Sequence, residues 1–284
     1  MTSPSLVSAR QITVGYGGEP VIRGLDLDIA RGDFTVVVGP NGCGKSTLLK
    51  ALCRVNQPTD GRVELDGADL HKIRGRAVAQ RVSLLPQSAI APEGITVGEL
   101  VARGRHPHHS LLRQWSPDDD RAIAAALERT HLTDHADVPV ATLSGGQRQR
   151  AWVAMVLAQD TEVILLDEPT TFLDIAHQYE LLELFAGLNR EGRTIIAVLH
   201  DLNQAARFAS RLVVMHEGRS AATARRPRCS RASSCARSSA SPPTSSTTRS
   251  RAPLWSSRTS PRSHLPEDMR TPRHVLEVVP RGRA

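Results

Sequence analysis

Eight residues in the first part of the chain have the types and spacing that bind phosphate. Residues 39–46 read G-x-x-x-x-G-K-[ST], with an apolar β-branched run before them and a helical pattern after them. Glycines allow the backbone to wrap a phosphate chain, and a helix N-terminus adds partial positive charge. We expect Lys45 to reach the β- and γ-phosphates and the Ser46 hydroxyl to bind Mg²⁺. The residues predicted to contact the nucleotide here are Gly39, Pro40, Asn41, Gly42, Cys43, Gly44, Lys45, Ser46 and Thr47.

Two adjacent carboxylates end another apolar run. Asp167 and Glu168 follow residues 163–166, which have the pattern of a buried strand. Ligands of open α/β sheets bind at the C-terminal ends of the strands. We therefore predict that Asp167 holds Mg²⁺ and that Glu168 orients and polarises an attacking water molecule. The alternative is a pair of solvated acidic residues, which the four preceding apolar residues make less favourable.

A third motif, at residues 143–147, predicts a second anion site. Ser144 is a natural N-cap for the helix that follows, and glycine N–H groups beside its hydroxyl could bind an anion. One γ-phosphate does not need two such sites in the same chain. The motif therefore indicates a partner chain whose nucleotide it completes, although Ser-Gly-Gly alone is an ordinary helix start.

The elements that position these residues alternate between strand and helix. Buried-strand patterns at residues 34–38, 163–166 and 194–199 are separated by helical ones, which predicts a mostly parallel sheet covered on both faces. The predicted fold class is α/β, a P-loop NTPase core with N-terminal antiparallel β-strands. An α-helical subdomain is inserted at about residues 88–160.

Charge divides the chain into two parts. Residues 219–284 carry 14 Lys and Arg against 3 Asp and Glu, whereas residues 1–218 carry 22 against 26. Residues 219–266 contain no Asp or Glu but 14 Ser and 10 Arg. We predict one folded domain at 1–218 and a disordered Arg/Ser/Pro-rich tail at 219–284, because such a composition buries too little apolar surface. A basic patch for nucleic acid is not expected in the folded part.

The cysteines and the hydropathy pattern indicate the cellular compartment in which the protein is expected. The four cysteines lack metal-ligand spacing and a disulfide framework, which favours a reducing compartment. Residues 1–8 lack the pattern of a signal peptide, and no apolar run approaches the ~20 residues that span a bilayer. We expect a cytoplasmic protein whose membrane role, if any, comes through a partner.

Together these motifs resemble the nucleotide-binding subunit of an ATP-binding cassette transporter over about residues 5–218. The motifs that carry the resemblance are, in order, residues 39–46, Gln87, residues 143–147, Asp167, Glu168, Leu173, Asp174 and His200. The resemblance implies ATP and Mg²⁺ as cofactors, ATP hydrolysis, and a homodimer that sandwiches ATP between its subunits. In that dimer the residues facing the partner's phosphate loop would be Ser144, Gly145, Gly146 and Gln147.

The resemblance also assigns roles to residues that are weak signals by themselves. It implies that Tyr16 stacks on adenine, that Gln87 senses Mg²⁺ and the γ-phosphate, that Asp174 bridges the dimer, and that His200 contacts the γ-phosphate. Each has an ordinary alternative: a loop aromatic, a turn residue or a hydrogen-bonded strand end. Cys43 is expected to be a small residue at a variable loop position. The histidine-rich run at 106–109 is expected to be an exposed loop, not a metal site.

The cargo is suggested only by similarity. Residues 94–108 and 168–174 resemble importers of ferric siderophores, haem and vitamin B12, among which the iron-siderophore branch fits best. The implied partners are integral-membrane permease subunits, contacted by residues 88–108 at the cytoplasmic face of the membrane, and indirectly an extracytoplasmic substrate-binding protein. Haem or vitamin B12 import, a soluble cassette ATPase acting on nucleic acid or ribosomes, and an assembly-defective subunit remain alternatives. The tail departs from the family at residue 219, and our hypothesis is a shifted reading frame.

Overall fold

A computed structural model describes residues 5–88, 90–109, 115–171 and 173–225. The strands in these ranges are β1 (Ser5–Val14), β2 (Ile22–Ala30), β3 (Phe34–Val38), β4 (Asp60–Leu65), β5 (Ala68–Asp69), β6 (Val82–Leu85), β7 (Val163–Asp167), β8 (Thr194–Val198), β9 (Arg211–His216) and β10 (Arg219–Arg225). The α-helices are α1 (Lys45–Leu52), α2 (Gly75–Ala79), α3 (Val97–Ala102), α4 (Pro117–Arg129), α5 (Gly145–Ala158), α6 (Ile175–Arg190) and α7 (Leu202–Phe208).

The strands form two sheets of different character. The first has the order β2-β1-β4-β5 and is antiparallel throughout. The second has the order β10-β9-β3-β8-β7-β6, and all its pairs are parallel except β9 with β10. Strands β3, β7 and β8 are buried along their whole length, as their mostly apolar sequences predict. The predicted fold class is confirmed.

Successive side chains of the central strands point to opposite faces of the sheet and divide the core into two layers. Val37 of β3 packs with Leu48 of α1 and with residues of the antiparallel sheet. Its neighbour Val36 points to the other face, where it joins Phe185 of α6. This arrangement follows from the two-residue period of a strand, which sends successive side chains to opposite faces. The phosphate loop is thereby anchored on a strand buried from both sides.

The helical insert has a core of its own. Helices α3, α4 and α5 enclose a separate apolar cluster that includes Val97, Leu127 and Ala154. A capping box joins Thr96 to Glu99 at the start of α3, and another joins Ser116 to Asp119 at the start of α4. All three helices lie in the range 88–160, where the sequence predicts a helical subdomain.

The predicted boundary at residue 218 needs a correction. Residues 219–225 form strand β10, which pairs with β9 through a turn where Glu217 and Gly218 have positive φ. The side chains of β10 are mostly exposed, so the strand can pair through its backbone without containing many apolar residues. This is why a disorder argument based on buried apolar surface failed for these seven residues. The predicted disorder of residues 226–284 lies outside the described residues.

None of the helices in the described ranges has the length and apolar character that crossing a membrane requires.

Candidate nucleotide site

The phosphate loop leaves the end of β3 and enters α1. Gly39 has a φ of 153°, and a Cβ added there would lie 2.3 Å from the carbonyl oxygen of Met215. Only glycine fits, because β9 passes directly beneath the turn. Gly44 caps α1 with a φ of 99°, in the left-handed region that glycine adopts without strain. The loop can therefore direct its N–H groups inward, as the motif predicts.

Lys45 is folded back against this loop. It is buried, and its Nζ atom donates hydrogen bonds to the carbonyl oxygens of Gly39 and Pro40, each at 2.9 Å. An ammonium group has three donors, so the two bonds to the loop fix its position and one donor remains to face a phosphate oxygen. The carbonyl oxygens of the loop thus hold the positive charge of Lys45 beside the loop.

Ser46 and Asp167 are adjacent across the site. The Oγ atom of Ser46 donates a hydrogen bond to Oδ1 of Asp167 at 2.8 Å. Burial raises the pKa of Asp167 and neighbouring Glu168 adds to this, although the Ser46 hydroxyl and Lys45 act in the opposite direction. A hydroxyl and a carboxylate oxygen in contact are the hard ligands that Mg²⁺ prefers. The donor set fits that ion, whose positive charge would favour the ionised carboxylate.

Glu168 receives two hydrogen bonds from separate elements. Nε2 of Gln87, which follows β6, donates to Oε2 at 2.7 Å, and Nε2 of His200, which follows β8, lies 2.7 Å from Oε1. Since a carboxylate only accepts, we assign the His200 proton to Nε2. Glu168 has a φ of 52°, uncommon for a non-glycine residue and typical of positions held under strain at functional sites.

These residues face a single cavity of about 380 Å³. Its lining residues are Val21, Asn41, Gly42, Gly44, Lys45, Ser46, Thr47, Gln87, Glu168 and His200. The structure thus brings the phosphate loop together with Gln87, Glu168 and His200, although Asn41 and His200 lie 159 positions apart in sequence. Parallel strands bring them together, because their C-terminal ends meet at one edge.

Tyr16 stands at the edge of this site. The residue is 63% exposed, its hydroxyl lies 3.3 Å from Oγ1 of Thr47, and Nδ2 of Asn56 donates to that hydroxyl at 2.9 Å. An exposed aromatic face fixed beside the start of α1 can stack on a nucleotide base. The part played by Asn56 was not predicted, because nothing in its sequence position relates it to Tyr16.

The Ser-Gly-Gly-Gln motif does not line the cavity. Ser144 caps α5 by accepting from the backbone N–H of Gln147 at 3.3 Å, while Oε1 of Gln147 accepts from the N–H of Ser144 at 3.1 Å. Gly145 has open space around its Cα, and Gly146 lies against the Leu173 side chain. The exposed helix start is well formed, and its residues are not among those that line the cavity of this chain's phosphate loop.

Asp174 is likewise outside the cavity. It caps α6 by accepting from the N–H of His177 at 2.9 Å, and its carboxylate also contacts Nδ1 of His177 at 2.7 Å. The backbone and side-chain hydrogen bonds from His177 lower the pKa of Asp174. Its position leaves the predicted contact with a second subunit open to test.

Several supporting contacts escaped the sequence analysis. The Gln149 amide of α5 donates to the carbonyl oxygen of Pro169 at 3.0 Å, and Oγ1 of Thr171 lies 3.5 Å from Oε2 of Glu168. Such residues carry no motif, because what they contact depends on how distant segments pack.

Among the described residues no group of three or more His, Cys, Asp or Glu side chains is arranged to hold a metal ion.

Comparison with known proteins identifies the family. Residues 22–171 match the family model described as ABC transporter. The chain is 53% identical over 218 residues to the ferric enterobactin transport ATP-binding protein FepC of Escherichia coli (strain K12), covering 76% of this chain and 80% of that one. It is 52% identical over 211 residues to the achromobactin transport ATP-binding protein CbrD of Dickeya dadantii (strain 3937), covering 74% and 78%.

A solved structure agrees with both. The dimeric structure of MJ0796, a bacterial ABC transporter cassette, matches with a TM-score of 0.70 at 26% identity, covering 77% of this chain and 98% of that one. The phosphate loop, the paired carboxylates and the helical insert all lie within residues 22–171, which the family model matches. The chain therefore belongs to the ABC transporter family, as one of its ATP-hydrolysing subunits.

Proposed function

We propose that this chain hydrolyses ATP to energise the import of an iron-siderophore complex through a membrane permease. The observation that carries the ATPase part is the Glu168 carboxylate, held by Gln87 and His200 in the cavity of the phosphate loop. The names of two relatives above 50% identity, which refer to ferric enterobactin and achromobactin, support the cargo class. Nothing in the cavity itself selects a cargo.

The loop and its lysine bind the phosphates of ATP. Backbone N–H groups of residues 39–46 and the positive end of α1 attract the anion. Lys45, anchored by two loop carbonyls, presents its charge without having to be ordered when ATP binds. Tyr16 supplies a stacking surface for adenine at the edge of the same cavity.

Ser46 and Asp167 would hold Mg²⁺, with Gln87 close to the same place. When bound, Mg²⁺ would supply positive charge that offsets the negative charge developing on the phosphates during phosphoryl transfer. The contact between Ser46 and Asp167 keeps both oxygens in one place on separate elements, α1 and β7. Their packing on the same buried sheet limits how far the two can move apart.

Glu168 acts as the base that orients the attacking water. Its two hydrogen bonds fix the direction of the carboxylate, and its left-handed backbone conformation lifts the side chain out of the strand toward the cavity. His200 is the residue that contacts the γ-phosphate in this proposal. Hydrolysis then removes the group that His200 and Gln87 sense, which gives the chain two states.

A dimer completes each site. Ser144, Gly145, Gly146 and Gln147 form an exposed helix start outside the cavity, and Asp174 lies at another helix start outside it. In a second copy of the chain, these groups would close over the bound γ-phosphate and bridge the interface. The dimeric structure of MJ0796, a bacterial ABC transporter cassette, supports the formation of a dimer.

Residues 88–108 contact the permease at the cytoplasmic face of the membrane. Ile90 is 92% exposed, so a partner could cover its apolar side chain. The carbonyl oxygen of Pro107 accepts from both Arg76 and Gln80, at 2.9 and 2.7 Å, which ties this surface to the segment leading into β6 and Gln87. An extracytoplasmic binding protein would deliver the cargo to the permease.

The test is uptake of radiolabelled iron-siderophore by cells that lack the gene, with and without the gene restored. We expect uptake to fall on deletion, to return with the intact gene, and to stay low with a Glu168→Gln version. A return of uptake with that version would contradict the role of hydrolysis. Unchanged uptake on deletion would contradict the cargo, and the same strains would then be given haem and vitamin B12.

A further inference from the structure

Two glutamine amides form a hydrogen-bonded chain between α7 and the loop before α6. Nε2 of Gln204 donates to Oε1 of Gln178 at 2.7 Å, and Nε2 of Gln178 donates to the carbonyl oxygen of Leu173 at 2.9 Å. Gln204 is only 3% exposed, and Gln178 is half-buried. Neither side chain lines the nucleotide cavity.

The direction of both amides follows from the last acceptor in the chain. A backbone carbonyl can only accept, so the NH₂ group of Gln178 must face Leu173. Its oxygen is then turned to Gln204, which must donate. The three groups therefore have one consistent arrangement, and reversing either amide would place two oxygens or two NH₂ groups against each other.

Each end of this chain meets a part of the proposed catalytic apparatus. Helix α7, which carries Gln204, begins two residues after His200, the residue in contact with Glu168. At the other end, Leu173 precedes Asp174, and the Leu173 side chain lies against Gly146, where an added Cβ would be 3.5 Å from its Cδ2 atom. The amide chain thus joins the segment of His200 to two segments that do not line the cavity.

We propose that Gln178 and Gln204 are positioning residues that fix the Leu173–Asp174 loop relative to His200. The inference rests on the proposed function, because it assigns Asp174 and Gly146 to the interface with a second subunit. Through the amide chain, the position of the His200 segment determines the position of the loop at that interface. ATP binding to the single subunit does not depend on it, since all contacts of the cavity stay in place.

The test compares Gln178→Met and Gln204→Met with the unaltered chain in ATP hydrolysis by purified protein. Methionine keeps the length of the side chain and removes its hydrogen bonds. We expect kcat to fall roughly tenfold, the size of effect that losing one or two amide hydrogen bonds would give, with KM for ATP changed less than twofold. The double variant should be no slower than the singles, because the two amides act as one unit.

Asn189→Leu is the matched control. Asn189 is also a half-buried amide of α6, and its Nδ2 atom donates to the carbonyl oxygens of Gly32 and Arg193 at 3.1 and 2.8 Å, at the other end of the helix. We expect this variant to lose thermal stability without losing kcat. Gln178→Glu is a second variant: its carboxylate accepts from Gln204 but repels the Leu173 carbonyl, so it should be as slow as Gln178→Met.

A second readout separates positioning from folding. In a Glu168→Gln background, which arrests hydrolysis, the Gln204→Met variant at saturating ATP should need a roughly tenfold higher protein concentration to form dimers in gel filtration. Wild-type kcat in both methionine variants, a proportional rise in KM, or multiplied effects in the double variant would each overturn the proposal. If Gln204→Met does not fold, Gln178→Glu at the half-buried position decides the matter. These assays need neither permease nor cargo, so a failure of the import function would leave their outcome unaffected.

Discussion

Nε2 of His200 lies 2.7 Å from Oε1 of Glu168, at the ends of two neighbouring parallel strands. The two residues are 32 positions apart in sequence, and each follows a strand that is buried throughout. Gln87, after β6, reaches the other oxygen of the same carboxylate. Three strand ends therefore hold one carboxylate beside the phosphate loop, and this arrangement underlies the first prediction.

Replacing Glu168 by Gln should separate ATP binding from hydrolysis. The amide is nearly isosteric but is not a base, so we expect hydrolysis to fall by ~10²-fold or more while ATP affinity is kept. The rate of phosphate release measures hydrolysis, and equilibrium nucleotide binding measures ATP affinity. Glu180→Gln, on the exposed side of α6 where it pairs with Arg150, is the control and should leave both unchanged. Unchanged turnover in Glu168→Gln would remove this residue from the proposed role.

Gly104→Ala should destabilise the helical insert. A Cβ on Gly104 would lie 2.2 Å from the carbonyl oxygen of Met155, so the segment 103–108 and α5 could not keep their separation. We expect a loss of about 3 kcal/mol in the free energy of unfolding, measured by urea denaturation. Gly187→Ala is the control, because the nearest atom to its added Cβ is a side-chain nitrogen of Arg190 at 3.7 Å. That variant should instead gain up to about 1 kcal/mol in helix propensity. Equal effects of the two changes would contradict this account.

Asp119 should make the insert sensitive to acid. It forms a buried ion pair with Arg105, Nε to Oδ1 at 2.8 Å. Burial by itself would raise the pKa of Asp119, but hydrogen bonds from Arg105 and Ser116 outweigh it and lower the pKa to about 2. Because the folded-state pKa lies below the unfolded value of about 3.9, the stabilisation is complete above about pH 4 and disappears as pH falls toward 2.

Asp119→Asn checks this directly. At neutral pH it leaves the Arg105 charge buried without its partner, so we expect a loss of about 3 kcal/mol in unfolding free energy. The difference from wild type should shrink as pH falls from about 4 to about 2. Asp118→Asn changes an exposed carboxylate of the same helix that pairs with Arg121, and should cost less than about 1 kcal/mol at any pH. A pH-independent effect of Asp119→Asn would contradict the assigned ionisation.

Ending the chain after Arg225 tests the domain boundary. Arg225 donates to the buried Asp33 carboxylate at 3.3 Å, which fixes the end of β10 to the start of β3. We expect a chain of residues 1–225 to keep both its thermal midpoint and the rise in that midpoint with Mg-ATP. A chain ending at residue 218 should lose stability, because it lacks β10 and this ion pair. A drop in midpoint on removal of residues 226–284 would show that the tail belongs to the folded domain.

The origin of the tail can be tested separately. We propose that the composition change near residue 219 comes from a shifted reading frame, in the gene or in its sequencing. Resequencing genomic DNA around that codon should reveal an inserted or missing base relative to a frame that continues the family pattern. An unaltered frame would contradict an artefact, and the tail would then be an authentic feature of this subunit.

The sequence alone determined the family, the fold class and the phosphate loop. These depend on local signals: a glycine spacing that only a strand-loop-helix can use, apolar runs long enough for buried strands, and a capping serine at a helix start. Such signals need no knowledge of distant contacts, because backbone geometry and burial periodicity operate within a few residues. The order of the motifs then sufficed to identify the fold.

Only the tertiary structure decided which side chains meet. The pairing of Gln87 and His200 on Glu168, the contact of Asn56 with Tyr16, and the amides of Gln178 and Gln204 join segments that strand order brings together. Strand β10 was missed for the same reason, since its formation depends on an edge of the sheet and not on its own apolar content. Hydrogen bonds between distant segments leave no periodicity in a sequence, so their partners become known only when the chain is folded.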